Sequence, residues 1–151
     1  MFQTPSDLVP ARKNMDKPVD VAIGILVEHR EGRPWVLIAR RKPDAVLGGY
    51  WELPGGKIES GETPAQCLVR EYEEELGIIV RVEEALDIID FAYDHAHVRL
   101  HPFYCSPMPD SPAPRNLHVA EHRWVPADDL TQFQFPPANT RLIEQVRAAL
   151  A

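Results

Sequence analysis

The stretch from Gly56 to Ile78 constrains this chain most, because it carries a helix with marked ends and two unlike faces. Thr63 opens the helix and Pro64 takes its first position, where a missing N–H costs little. Gly77 supplies the stop. At about 100° per residue, Ala65, Leu68, Val69, Tyr72 and Leu76 gather on one face. Glu71, Glu74 and Glu75 are expected on the opposite side, spaced i, i+3 and i+4. Carboxylates at that spacing are neighbours and repel, so the helix is weaker for having them unless a cation bridges them. Mg2+ suits such a site, because it takes hard carboxylate oxygens and binds substrate phosphates alongside. The rival reading is a plain solvated acidic face. The surroundings weigh against it. Pro54-Gly55-Gly56-Lys57 gives a tight turn and a cation just upstream, and Arg70 can pair with a carboxylate and hold it in one rotamer.

The 151 residues fit one domain. The formal charge of −7 argues against a general binder of nucleic-acid polymers, which needs a basic footprint. It leaves room for a small phosphate ligand held by local cations and metal. Cys67 and Cys105 read as small buried apolar side chains rather than a disulfide framework. No apolar run reaches the length of a membrane span, and the first residues lack the apolar stretch of a signal peptide, so the cytoplasm is the expected compartment.

Along the chain, residues 1–18 lack periodicity and read as a flexible N-terminal arm, with residues 19–151 as a single domain. Apolar runs predict strands over 19–27, 36–39, 51–53, 78–82, 85–93, 98–105 and 122–125. Pro54-Gly55-Gly56 reads as a turn, and the proline-rich 106–115 as a loop. Pro137-Ala138-Asn139 opens a last helix, with Leu142, Val146 and Leu150 on one face. One helix comes early and one late, so the expected class is α/β (α+β), a mixed sheet packed between helices.

Gly56, five residues, Glu62, seven residues, then Arg70-Glu71-Tyr72-Glu73-Glu74-Glu75-Leu76-Gly77-Ile78 resembles the box of the Nudix hydrolase family. Tyr72 is the one departure, standing where an aliphatic residue is usual. The resemblance implies an α/β/α sandwich and hydrolysis of a nucleoside diphosphate linked to another group. It implies Glu71, Glu74 and Glu75 as metal ligands with the Gly56 carbonyl, Arg70 as the residue that orients them, and a structural role for Glu62. The implied cofactor is Mg2+, with Mn2+ able to substitute.

The resemblance extends to the MutT-like branch, through Ile38-Ala39-Arg40-Arg41, Trp51 to Glu59, and Phe135-Pro136-Pro137-Ala138-Asn139. That branch implies cleavage of 8-oxo-dGTP to monophosphate and pyrophosphate, clearing an oxidised precursor before DNA synthesis. It implies that Asn139 reads the base, which its amide can do with a donor and an acceptor. The alternative is that Asn139 caps the last helix. Arg41 and Lys57 are candidates to contact phosphate, and Tyr93 or Phe91 to line the base pocket. Glu121 matches a family glutamate that binds a second metal or takes the proton from the attacking water. His95, His97, His101 and His118 have no ligand spacing and read as strand and turn residues. Other Nudix substrates (a cytidine or methylated nucleotide, ADP-ribose, a dinucleoside polyphosphate) and a non-catalytic module that senses oxidised guanine are the alternatives. The expected partner is a small nucleotide, with no membrane, in a monomer or homodimer.

Overall fold

The computed structural model describes residues 17–94 and 96–151. The expected N-terminal arm lies almost wholly outside the described residues, as does His95. The elements run β1 (Val19–Arg30), β2 (Arg33–Arg40), β3 (Trp51–Glu52), β4 (Gly55–Lys57), α1 (Pro64–Leu76), β5 (Val80–Ala85), β6 (Ile89–Ala92), β7 (His97–Pro107), β8 (Glu121–Pro126), a 3-10 helix (Ala127–Gln132) and α2 (Pro137–Leu150).

β1 is the axis of the sheet. Its apolar run packs on both faces, as a central strand must. It pairs parallel with β7 from Val19↔Val98 to Leu26↔Cys105. On its other edge two partners share it. β4 covers Val21 to Ile23, and β2 takes over from Val27. β2 in turn carries β3 and β8, while β5 and β6 both lie antiparallel to β7.

Period-two alternation divides the core into two layers. Val21, Ile23 and Ile25 of β1 and Val36 and Ile38 of β2 meet Leu142, Ile143 and Val146 of α2. Ala22, Leu26, Leu37 and Ala39 meet Leu68, Tyr72 and Leu76 of α1. The result is the expected sandwich, a mixed sheet with a helix on each face. Both cysteines are free and buried, as the sequence indicates.

Four details depart from expectation. Gly55–Lys57 is strand β4 rather than part of a turn, because β1 leaves its N-terminal edge open there. The boundary between the expected strands over 78–82 and 85–93 moves: β5 runs on to Ala85 across a register shift between Val82 and Ala85, and Leu86 donates to the Pro102 carbonyl before β6 begins at Ile89. The 3-10 helix gave no periodic signal. Val69 is 38% exposed, while Cys67 is buried. The buried stripe of α1 is therefore Cys67, Leu68, Tyr72 and Leu76, rotated toward the glutamates.

Candidate active site

The site begins with the two ends of α1. Thr63 and Gln66 close a reciprocal cap: the Thr63 hydroxyl accepts from the Gln66 N–H at 3.1 Å, and Gln66 Oε1 accepts from the Thr63 N–H at 2.9 Å. Gly77 stops the helix at φ 67°, a left-handed conformation that favours glycine. Between these ends the helix lies against β4. A Cβ on Gly56 would meet the Glu71 carboxylate, so glycine lets that side chain lie against the strand without shifting.

The rotation of the buried stripe also moves the glutamates. Glu71 and Glu75 do not lie opposite the apolar residues as expected. They flank them and are partly buried, while Glu74 stays exposed. The acidic cluster is thus tucked between helix and sheet.

Arg70 ties this cluster together. Its Nε donates to Glu62 Oε2 at 2.7 Å and its Nη2 to Glu62 Oε1 at 3.0 Å, a bidentate pair. Its Nη1 reaches Glu71 Oε2 at 3.1 Å and Glu74 Oε2 at 3.3 Å. Its Nη2 also donates to the Lys57 carbonyl at 3.3 Å, which links helix to strand. The hydrogen bonds from Arg70 hold the Glu62 carboxyl down to about 2, and Glu62 in turn raises Arg70 above the usual guanidinium value.

Gly56, Lys57, Glu71, Glu74 and Glu75 share one open cavity of about 880 Å³ with Arg41, Glu52 and His118. Arg41 is already engaged: its Nη1 meets Glu52 Oε1 at 3.0 Å and its Nε the Val46 carbonyl at 2.6 Å. Burial raises the Glu52 carboxyl, with Arg41 opposing. Burial also pushes Glu75 well above the usual carboxylate range, helped by a hydrogen bond with Glu71 and the charge of Glu52. Glu52 and Glu75 thus form a poorly solvated part of an acidic wall, a combination frequent at functional sites.

The structure brings together six of the residues singled out in the sequence: Arg41, Gly56, Lys57, Glu71, Glu74 and Glu75. Arg70 stands behind them. Glu121 is not among the cavity's lining residues; at the start of β8 it pairs with Arg40 and Arg123, each at 3.3 Å. Asn139 and Tyr93 lie on the other face of the sheet, at the start of α2. Asn139 is not the cap of that helix. Pro136 holds the cap position, and Asn139 sits three residues on, 2% exposed, its Oδ1 without a hydrogen-bond partner among the described residues. Tyr93 is half-buried, and its hydroxyl accepts from the Ala138 N–H at 3.2 Å.

Sequence reasoning missed Glu52, Lys42, Asp44 and His118 as cavity residues. Glu52 did leave a signal: it is a carboxylate between Trp51 and Leu53, both buried. His97 and His101 are strand residues bonded to Asp90 at 3.1 Å and Asp20 at 2.9 Å, as their positions suggest.

A family model for the NUDIX domain matches residues 22–145. The chain belongs to the Nudix family. The 8-oxo-dGTP diphosphatase of Escherichia coli (strain K12) is 31% identical over 131 residues, covering 87% of this chain and 98% of that one. The CTP pyrophosphohydrolase of the same organism is 31% identical over 138 residues, covering 89% and 96%. A solved MutT structure, from work on Aliivibrio salmonicida and Vibrio cholerae, superposes with a TM-score of 0.69 at 31% identity, covering 88% and 99%. Membership makes this chain a Nudix hydrolase, an enzyme of the pyrophosphohydrolase class, with relatives in the MutT-like branch.

Nudix hydrolases need a divalent metal. The donors on this Nudix wall fit one in kind: carboxylates of Glu71, Glu74 and Glu75 and the carbonyl of Gly56 are hard oxygens on one surface. Among the described residues, no three Asp, Glu, His or Cys side chains converge to hold an ion. Arg70 draws Glu71 and Glu74 toward itself, and Glu75 turns to Glu71. No described helix of the Nudix domain is long and apolar enough to cross a membrane.

Proposed function

We propose that this Nudix hydrolase is a Mg2+-dependent pyrophosphohydrolase that cuts a nucleoside triphosphate between its α- and β-phosphates, with 8-oxo-dGTP as the substrate. In the reaction a water oxygen bonds to phosphorus, the bridging anhydride bond breaks, and a carboxylate takes the water's proton. Glu71, Glu74 and Glu75 with the Gly56 carbonyl would hold the ion. Bound there, Mg2+ would offset phosphate charge and acidify the attacking water. Arg70 orients the carboxylates through the bonds described above. Lys57 and the guanidinium edge of Arg41 not used by Glu52 meet the phosphates. Glu121 remains a candidate proton acceptor or further ligand once it leaves Arg40 and Arg123.

The purine preference rests on one observation, the buried and unpaired Oδ1 of Asn139. An amide kept in a dry site with an open acceptor asks for a donor, and an oxidised purine edge offers one. As a helix cap it would have an internal partner, which it lacks. A cytidine triphosphate is the second reading, favoured by the equal identity to the CTP pyrophosphohydrolase. A panel of 8-oxo-dGTP, dGTP, CTP and ADP-ribose, with products identified at limiting enzyme, decides between them. Pyrophosphate released fastest from 8-oxo-dGTP supports the reading. Fastest release from CTP replaces it with the second.

A further inference from the structure

Resting on the reading that Asn139 meets the base, we infer that Tyr93 is a positioning residue whose hydroxyl fixes the start of α2 and thereby the direction of the Asn139 amide.

The first N–H groups of any α-helix lack partners within it. α2 begins with Pro136 at the cap position and Pro137 at its first turn, and no side chain caps it. A helix with this start usually draws a hydroxyl or carboxylate cap from its own sequence. Here the acceptor comes from elsewhere in the chain. Tyr93 lies 45 residues earlier, between β6 and β7, and its hydroxyl accepts the Ala138 N–H at 3.2 Å. The next N–H, that of Asn139, turns back to the Pro136 carbonyl at 2.9 Å. One tyrosine oxygen is thus bonded to the peptide unit just before the buried Asn139 amide.

That oxygen is itself held in place. The Tyr93 ring is half-buried and packs edge-on against Phe91, with ring centroids 4.7 Å apart. A tyrosine has two side-chain torsions before its ring, so a packed ring leaves its hydroxyl little freedom. A two-point amide contact depends on angle as much as on distance. Loosening the first turn of α2 would therefore swing the Asn139 amide away from its best geometry. The cavity with the acidic wall lies on the other face of the sheet, against α1, so its chemistry should be untouched.

The test uses Tyr93→Phe, which keeps the ring and removes one oxygen. Ala138→Pro removes the donor from the other end of the same bond, and because Ala138 is buried in the first turn its melting curve is read beside its kinetics. Each is compared with Asn139→Ala by measuring kcat, KM and thermal melting on 8-oxo-dGTP and CTP with Mg2+. The expected result is a fall of about two- to tenfold in the preference for 8-oxo-dGTP, the range of one lost hydrogen bond. The fall appears in KM for 8-oxo-dGTP, with a smaller change on CTP, and adding Tyr93→Phe to Asn139→Ala has no further effect on preference. A merely structural role would lower the melting temperature and leave the preference alone, which overturns the inference. If Asn139→Ala shifts the preference and both other variants do not, only the Tyr93 inference falls. If Asn139→Ala leaves the preference unchanged, the base reading falls and takes this inference with it.

Discussion

Arg70 grips Glu62 through two parallel hydrogen bonds, at 2.7 and 3.0 Å, and so fastens the loop before α1 to the middle of that helix. The same guanidinium reaches two of the proposed metal ligands, so the pair couples loop geometry to the active wall.

The Glu62 carboxyl, held down to about 2 by Arg70, gives a pH prediction with a definite sign. Its folded value lies below its unfolded value, so its contribution is fully present above the ordinary glutamate range and is lost as pH falls toward 2. Glu62→Gln should therefore destabilise the protein at neutral pH and flatten the acid limb of its stability curve. Chemical denaturation at several pH values checks this. A variant with an unchanged acid limb would mean the pair contributes nothing.

Glu75 predicts the reverse slope in chelated protein. Burial raises its carboxyl, so the folded state keeps the proton longer than the unfolded state. Stability with chelator should fall as pH rises above the ordinary glutamate range, and Glu75→Gln should remove much of that fall. Mg2+ should restore stability at the high end, by about 2.7 kcal/mol at a hundredfold excess over Kd. Melting curves with EDTA and with Mg2+ across this range test it. A wild-type curve with no slope in EDTA would remove Glu75 from the account.

Tyr72 makes a prediction unrelated to catalysis. Its ring is fully buried against Gly24, and its hydroxyl has no hydrogen-bond partner among the described residues. An unmade buried bond costs about 1–3 kcal/mol. Tyr72→Phe should be at least as stable as wild type, with a melting temperature up by about 2–4 °C for each kcal/mol regained at this size. A lower melting point would reveal a partner for the hydroxyl.

The acidic wall was legible in the sequence because its pattern is local. Fixed spacing from Gly56 to Ile78 places a helix and three carboxylates without reference to the rest of the chain. The two core layers were legible for the same reason, since alternation along β1 and β2 reports both faces at once. The orientation of the wall was not. Only packing shows that Val69 turns outward, and this decides that Glu71 and Glu75 are partly buried.

Tertiary pairings were hidden as well. Arg41 and Glu52 meet because β2 and β3 pair antiparallel, with Ala39 opposite Glu52. Nothing in either residue's neighbourhood announces the other. Glu121 was singled out through the family resemblance, whereas its ion-pair partners come from β2 and from its own strand. Asn139 looked like a helix start because prolines precede it. The helix does open at Pro137, as expected, but Pro136 holds the cap position and the Asn139 amide is left buried.

The most direct test of the central claim is turnover by Glu74→Gln. Glu74 lines the cavity, keeps its side chain 56% exposed, and packs against nothing in the core, so the fold should survive its neutralisation. With Mg2+ and 8-oxo-dGTP, wild-type protein should release pyrophosphate and monophosphate. The variant should melt within a few degrees of wild type and turn over at least about 10²-fold more slowly, the scale of a lost electrostatic or proton-transfer group. A folded Glu74→Gln with full activity would contradict the assignment of this acidic wall as the site of hydrolysis.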